Sequence, residues 1–124
     1  MQSYAKKKKT ELVTQKLKLS KIEKDALKKL TTDLRFAWPD TEFKLFGSKV
    51  KGIADEESDL DVLIILPCDV TPEIRRQIIY TVFDINLEFE TNISALIVSK
   101  IEWKNKPFSL LPIHAFIEEE GIPL

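Results

Sequence analysis

The sequence predicts a single α/β or α+β domain in which helices cover a small β-sheet. Apolar residues recur at helical spacing over residues 21–36 and again over residues 74–89. Short β-prone runs occupy residues 43–46, 60–66 and 93–98. The predicted order is helix, strand, short helix, strand, helix, strand, helix, and such alternation is typical of a sheet covered by helices.

The first helix is expected to begin at a capping box, in which Ser20 is followed by Glu23. It should end at Trp38-Pro39, because a residue that precedes proline avoids helical geometry. Its predicted buried face consists of Ile22, Ala26, Leu27, Leu30 and Leu34.

The strand at residues 43–46 stops at Gly47, and a short helix over residues 48–52 is expected to close at Gly52. A polar loop should follow over residues 53–58. The next strand, residues 60–66, is apolar enough to be buried on both faces, and Pro67 ends it.

The second long helix begins at Thr71-Pro72, with proline at the first helical position, and runs to about residue 89. Its predicted buried face is Ile74, Ile78, Val82 and Ile85, with Ile79 and Phe89 beside it. After the third strand, Ser99 and Glu102 form a capping box that opens a short helical turn. A last helix over residues 110–120 is expected to end at Gly121.

The composition fits one globular domain and excludes several functional classes. The chain has 124 residues, 44% of them hydrophobic and 31% charged, so it can bury a core. A net charge of -1 gives no general reason to expect nucleic acid or a membrane as partner. No apolar run approaches the roughly 20 residues of a membrane span. The single cysteine, Cys68, cannot form an internal disulfide, which favours a cytoplasmic setting.

Residues 1–19 form a basic segment with six lysines and one acid, and residues 20–124 are expected to form the domain. We interpret the lysine run at residues 6–9 as a solvated, partly disordered start. Contact with phosphate or nucleic acid is the less favoured alternative, because no aromatic residue beyond Tyr4 lies among the lysines.

Two carboxylates stand at the start of the central strand. Asp59 and Asp61 are two residues apart, so in an extended chain both point to the same side. Their mutual repulsion is costly unless a cation lies between them, and hard oxygen ligands favour Mg²⁺ or Mn²⁺. Asp-x-Asp alone is more often an ordinary surface pattern.

Gly47-Ser48 lies where a strand turns into a short helix. The missing side chain of Gly47 lets a ligand approach the backbone, and the Ser48 hydroxyl with free helical N–H groups suits a phosphate. Lys49 and Lys51 add positive charge. Gly-Ser after a strand is by itself usually only a turn.

The joint pattern is far more specific. Gly47-Ser48, ten intervening residues, and Asp59-Leu60-Asp61 before an apolar strand resemble the signature of the DNA polymerase beta-like nucleotidyltransferase superfamily. Within this superfamily, the sequence of residues 43–66 is most similar to the minimal nucleotidyltransferases. The order of the predicted elements extends the resemblance over residues 20–124.

The resemblance implies a nucleotidyltransferase fold, a small mixed β-sheet flanked by helices. It also implies that Gly47, Ser48 and Lys49 bind a nucleoside triphosphate, with ATP expected, while Asp59 and Asp61 bind the metal and are catalytic. A hydroxyl of the acceptor would attack the α-phosphate, and pyrophosphate would leave.

The third carboxylate of the family is not evident. Asn92 falls near its expected position, and it is a neutral oxygen donor and a poor base. Glu88 or Glu90 could substitute if the third strand began earlier, although exposed residues at a helix end are the commoner explanation. The remaining chemically capable residues, His114, Trp38, Trp103, Phe108, Cys68 and the acidic run 118–120, are interpreted as packing or solvated groups.

Two functional hypotheses follow. The first is a metal-dependent nucleotidyltransferase that transfers AMP to an acceptor hydroxyl. The second is an antitoxin-type binding module with weak or no catalysis, which pairs with a small helical partner of the HEPN type, as minimal nucleotidyltransferases often do. The intact Asp59-Leu60-Asp61 favours the first, and the missing third acid favours the second. Self-association is also typical of small members, so a homo-oligomer is expected as an option.

Overall fold

The computed structural model describes residues 19–51, without the side chain of Lys51, and residues 59–124. The helices are α1 (Lys21–Ala37), α2 (Ser48–Lys51), α3 (Pro72–Phe89), α4 (Lys100–Lys104) and α5 (Pro112–Glu120), and a 3-10 turn spans Phe108–Leu110. The strands are β1 (Glu42–Phe46), β2 (Leu60–Leu66), β3 (Ile93–Ser99) and β4 (Ile122–Pro123). The predicted basic segment up to residue 18, the Gly52 cap and the loop at residues 53–58 lie outside the described residues.

The four strands form one mixed sheet in the order β3-β2-β1-β4, which confirms the predicted fold class. β1 runs antiparallel to β2 and to β4, whereas β2 and β3 are parallel and connected through α3. A parallel pair requires such a crossover, and a helix usually provides it. The short strand β4 was not predicted, because two residues show no measurable periodicity.

Capping boxes position two helices as predicted. The Ser20 hydroxyl accepts a hydrogen bond from the Glu23 N–H at 3.0 Å, and the Glu23 carboxylate accepts one from the Ser20 N–H at 3.0 Å. The same reciprocal pair joins Ser99 and Glu102 at the start of α4. Thr71 caps α3, and proline follows it at the first helical position.

The two faces of the sheet bury separate cores, so β2 is covered on both sides as expected. α1 and α3 cover one face, where Leu30, Leu45 and Ile64 are fully buried. Leu19, the last residue of the predicted basic segment, is also buried there. The smaller core on the other face contains Leu63, Ile65, Val98, Trp103 and Ile117, from β2, β3, α4 and α5.

Two predicted core residues are in fact exposed. Ile22 lies in the first turn of α1, at the edge of its buried face, and its exposed fraction is 56%. Ile79 follows the buried Ile78 on α3, and the helical rotation of about 100° turns it out of the core. Both errors come from assigning every apolar residue near a periodic pattern to the buried face.

Asn86 ties the end of α3 to the start of β3. Its side-chain oxygen accepts hydrogen bonds from the Ile93 N–H at 2.8 Å and from the Thr91 hydroxyl at 3.0 Å. Its side-chain amide donates to the Ile93 carbonyl at 3.1 Å. These bonds complete a turn in which Glu90 adopts a left-handed conformation, with φ of 54°. The first residue of β3 is therefore held in a defined position.

Trp103 anchors the second core through a hydrogen bond to the helix above it. Its indole Nε1 donates to the Glu118 carboxylate at 2.6 Å, and the His114 ring lies 4.3 Å from the Trp103 ring. Trp103 and His114 are packing residues, as predicted. Glu118, expected to be only solvated, also forms an ion pair with Lys44 at 3.6 Å. The indole hydrogen bond, helped by Lys44 and His114 against partial burial, lowers the pKa of Glu118.

Within the described part of the chain, no helix has both the length and the apolar character needed to cross a bilayer.

Trp103→Phe removes the indole donor, so we expect the pKa of Glu118 to rise toward its ordinary value of 4.5. A lowered carboxyl pKa stabilises the fold above pH 4.5, and this contribution is lost as pH falls through the folded-state pKa. The measurement is an NMR titration of the Glu118 carboxyl carbon in the two proteins. An unchanged titration would contradict the assignment. Glu118→Gln is the matched control. Its stability should lack the part of the pH dependence that comes from the Glu118 carboxyl group.

Candidate active site

Gly47 and Asp61 are packed directly against each other at the mouth of the sheet. The antiparallel register of β1 and β2 pairs Phe46 with Asp61, which brings the next residue, Gly47, against the Asp61 side chain. Gly47 has a φ of 85°, and a Cβ built on it would clash with the Asp61 carboxylate oxygen. Glycine is therefore required here both by backbone conformation and by space.

The two carboxylates lie together at the start of β2. Asp59 directly precedes the strand and is exposed, while Asp61 is half-buried within it. Burial, and next the negative charge of Asp59, raise the pKa of Asp61. The negative charge of Asp59 thus disfavours ionisation of Asp61 by repulsion, although burial has the larger effect. A cation held between them would relieve that repulsion.

Ser48 begins α2, a helix of only four residues. The Val50 N–H already donates to the Gly47 carbonyl at 3.1 Å. Such a short helix contributes little dipole, so a phosphate here would depend on the backbone of Gly47 and on Ser48, both of them half-buried. The side chain of Lys51, predicted to add charge, lies outside the described residues.

Lys49 has a structural contact that the sequence did not suggest. Its side chain is only 7% exposed, and its ammonium lies 3.3 Å from the Glu23 carboxylate. Glu23 also completes the capping box of α1, where its carboxylate accepts a hydrogen bond from the Ser20 N–H. Lys49 thus connects α2 to α1, and its assignment to the nucleotide stays a prediction.

The parallel register of β2 and β3 places Ser94 beside Asp61. Ser94 is exposed and was missed by the sequence analysis, although the paired register of the two strands identifies it once the start of β3 is known. Asn92 lies just before the strand, and its carbonyl accepts a hydrogen bond from the Leu60 N–H at 2.9 Å. A neutral hydroxyl, rather than a carboxylate, is therefore the neighbour of Asp61 on β3.

Glu88 and Glu90 do not lie on β3. Glu88 is an exposed residue of α3, and Glu90 is the left-handed cap of that helix. The strand starts only at Ile93, because the Asn86 turn occupies the residues between. Neither residue therefore reaches the third position by an earlier start of the strand, which was the condition for its candidacy.

Asp59 and Asp61 suit a hard divalent ion that takes its remaining ligands from water and substrate. Among residues 19–51 and 59–124, no group of three or more Asp, Glu, His or Cys side chains is placed to hold a metal. Two carboxylates are nevertheless sufficient protein ligands for Mg²⁺, which usually completes its shell with water and substrate phosphates. Asp59 and Asp61 fit that role, since a cation would offset both causes of the raised pKa of Asp61, its burial and the negative charge of Asp59.

A small apolar cavity adjoins Gly47. It has a volume of about 140 Å³ and is lined by Phe46, Gly47, Val50, Ile113, Phe116, Ile117 and Glu120. A cavity of roughly 150 Å³ with such a lining holds one aromatic ring. The cavity therefore offers apolar contact for a flat ring beside the carboxylates, with Glu120 as its acidic member.

Gly47→Ala should destabilise the protein, because the methyl group meets the Asp61 carboxylate and the positive φ is strained. We expect a loss of about 1–3 kcal/mol in the free energy of unfolding, measured by urea denaturation. Ser48→Ala is the control at the next position and should change stability by less than about 0.5 kcal/mol. Equal stability of Gly47→Ala and the parent protein would show that the packing against Asp61 is not tight.

Comparisons with known proteins agree with this geometry. The model of the family described as nucleotidyltransferase domain matches residues 27–121, which is more than half of the chain. The matched range includes Gly47, Asp59, Asp61 and Ser94. Neither a curated protein nor a solved structure matched the chain. The arrangement of the strands, the glycine turn and the carboxylate pair agrees with the resemblance to the minimal nucleotidyltransferases. The chain belongs to the nucleotidyltransferase domain family.

Proposed function

We propose that this domain transfers AMP from ATP to an acceptor hydroxyl with the help of Mg²⁺ or Mn²⁺. Family membership supports nucleotidyl transfer in general. The observation that carries the finer proposal is the close packing of Gly47 against the half-buried Asp61. A phosphate on Gly47 would lie next to the carboxylate pair.

Each residue has a separate task in this reaction. Gly47 and Ser48 orient the triphosphate, and Asp59 and Asp61 hold the divalent ion against it. When bound, the ion neutralises the phosphates and favours ionisation of an attacking hydroxyl. A bond forms between the acceptor oxygen and the α-phosphorus, the bond to the β-phosphate oxygen breaks, and pyrophosphate leaves with its electron pair.

The proton of the acceptor hydroxyl needs a different destination from the one usual in this family. Ser94, which lies beside Asp61, is not a base near neutral pH. We therefore assign the proton to water or to a basic group that the acceptor itself carries. This makes the rate depend on the acceptor, and a protein acceptor that brings its own base suits the site best.

The cavity beside Gly47 supports a place for the adenine ring. Its lining from β1, α2 and α5 is mainly apolar, and its volume of about 140 Å³ suits one of the two fused rings of adenine. Glu120 can accept a hydrogen bond from a ring N–H or amino group. This arrangement leaves the phosphates on the Gly47 side, toward the carboxylates.

One observation favours an alternative function: the neighbour of Asp61 on β3 is Ser94 and not a third carboxylate. A domain with slow transfer could act as an antitoxin-type module that neutralises a HEPN-like helical partner by binding alone. The two functions differ in one result. A domain that neutralises its partner by binding alone should still do so when Asp59→Asn and Asp61→Asn are combined. A domain that neutralises its partner by AMP transfer should lose this ability. A cytoplasmic setting, supported by the exposed free Cys68, applies to both.

Asp59→Asn combined with Asp61→Asn should abolish Mg²⁺-dependent binding of a non-hydrolysable ATP analogue while leaving the fold intact. The reason is that two carboxylates are replaced by neutral amides of the same shape. Calorimetric titration with and without Mg²⁺ measures the effect. Ser94→Ala is the matched control and should retain metal-dependent binding. Equal metal-dependent affinity in the double variant would refute the site.

Ile113→Ser should weaken binding of the ATP analogue but leave binding of inorganic tripolyphosphate unchanged. The substitution makes the cavity polar, and tripolyphosphate has no ring to fill it. We expect a loss of about tenfold for the analogue, which corresponds to the roughly 1.4 kcal/mol expected from losing apolar contact. Ile101→Ser, on an exposed residue away from the cavity, is the control. Equal losses of affinity for both ligands would show that the adenine base does not bind in this cavity.

A further inference from the structure

The outer surface of α3 carries large apolar side chains that no other part of the described chain covers. Ile79, Tyr80, Phe83 and Leu87 are 51%, 61%, 58% and 65% exposed. With about 100° of rotation per residue, they fall within roughly 100° around the helix. These four residues form the outer face of α3, opposite its buried residues. A contiguous exposed apolar surface on a small domain marks a binding site.

One flank of the outer face is acidic. Glu73, Asp84 and Glu88 are exposed and fall within about 60° of each other around α3. None of them forms an ion pair with another described residue. The opposite flank carries Arg75, whose guanidinium donates to the Ile97 carbonyl of the edge strand β3 at 3.3 Å. The acidic flank therefore faces away from that edge, toward α1, which packs beside α3 on the same side of the sheet.

The described chain begins at the end of the fold where α3 finishes. Leu19 is buried in the core beneath α1 and α3. In the first turn of α1, the Glu23 carboxylate lies 3.3 Å from the Lys49 ammonium, just beyond the end of β1. α3 leads into the start of β3, which pairs with the start of β2, and the start of β2 pairs with the end of β1. The residues before Leu19 are therefore attached at the same end of the fold as the last turn of α3.

Residues 1–18, which lie outside the described part of the chain, have a composition that matches this surface. They contain six lysines and a single acid, together with the apolar residues Tyr4, Leu12, Val13 and Leu17. With 18 residues, α3 is about 27 Å long. An extended chain advances about 3.3 Å per residue, so about eight residues are enough to span α3.

We propose that residues 1–18 of this chain bind along α3, with their lysines against the acidic flank and their apolar side chains over the outer face. Attachment at Leu19 favours this occupant over a separate molecule. A tethered segment has an effective concentration on the order of 1 mM at its site, so a contact too weak to recruit a separate protein still forms. A protein partner that uses the outer face would first have to displace the segment.

Paramagnetic broadening by a spin label in the full chain tests the contact. Thr10→Cys in a Cys68→Ser background carries the label, nine residues before Leu19, so attachment alone does not hold it against α3. The amide signals of Ile79 and Tyr80 should lose intensity, whereas those of α4, on the other side of the sheet, should keep it. Unchanged signals along α3 would overturn the proposal.

A mixed sample separates this contact from association between copies. Isotope-labelled chains without the spin label are combined with spin-labelled chains that carry no isotope. The signals of α3 should keep their intensity in this mixture, because each segment binds its own chain. A loss of intensity equal to that of the spin-labelled chain itself would assign the outer face to another copy and overturn the proposal.

A charge exchange tests the role of the acidic flank. Asp84→Lys with Glu88→Lys should release the segment, because the flank then repels the lysines, and the spin label should no longer reduce the signals of α3. Adding Lys6→Glu through Lys9→Glu should restore the effect, because the exchange recreates attractive pairs. A segment that stays on α3 after the first exchange, or does not return after the second, would refute the proposed pairing.

Asp40→Lys with Glu42→Lys is the matched control. It makes the same change in net charge at exposed residues beyond the other end of α1, so the loss of intensity along α3 should persist. Circular dichroism and thermal unfolding check that each variant is folded. Release of the segment by the control variant would show that net charge, and not the acidic flank, determines binding, and would contradict the proposal.

Discussion

The close packing of Gly47 against the Asp61 carboxylate is the constraint on which the rest of the site depends. It is possible only because β1 and β2 are antiparallel neighbours with Phe46 opposite Asp61. It also requires a residue without a side chain, in a conformation with positive φ, at the point where β1 ends. Through this one contact, the glycine turn and the carboxylate pair lie side by side at the same edge of the sheet.

The sheet topology then determines what stands beside that surface. β3 joins β2 in parallel through α3, and the Asn86 side chain holds its first residue, Ile93, in place. Since Ile93 pairs with Leu60, the neighbour of Asp61 is Ser94. The chemistry proposed for this chain follows from that register. In the proposed reaction the two carboxylates bind the metal, and the residue of β3 beside Asp61 is a serine and not a carboxylate.

Much of the fold could be predicted because strong local signals determine it. Ser20 with Glu23, Thr71 with Pro72, and Ser99 with Glu102 each start a helix in the structure as expected. The continuous apolar run at residues 60–66 is the central strand. The position of Gly47 beside Asp61 follows from the antiparallel pairing of β1 with β2, whose direction was not predicted from the sequence.

The features that could not be predicted from the sequence depend on contacts between residues that are far apart along the chain. The ion pair of Lys49 with Glu23 joins residues that no local pattern connects. The strand β3 begins at Ile93 as predicted, but only the pairing of β2 with β3 shows that Ser94, and not the expected Asn92, lies beside Asp61. The exposure of Ile79 depends on which helix faces meet a neighbour. Side-chain pairing across the fold, rather than propensity, decides each of these points.

The central claim is that Asp59 and Asp61 hold a divalent ion next to Gly47. Paramagnetic broadening by Mn²⁺ in a nitrogen–proton NMR spectrum tests it most directly, because the effect falls steeply with distance from the ion. We expect substoichiometric Mn²⁺ with an ATP analogue to broaden the amide signals of Gly47, Asp61 and Ser94 before those of α3. Selective loss of signals around Glu118 and Glu120, with Gly47 unaffected, would contradict it.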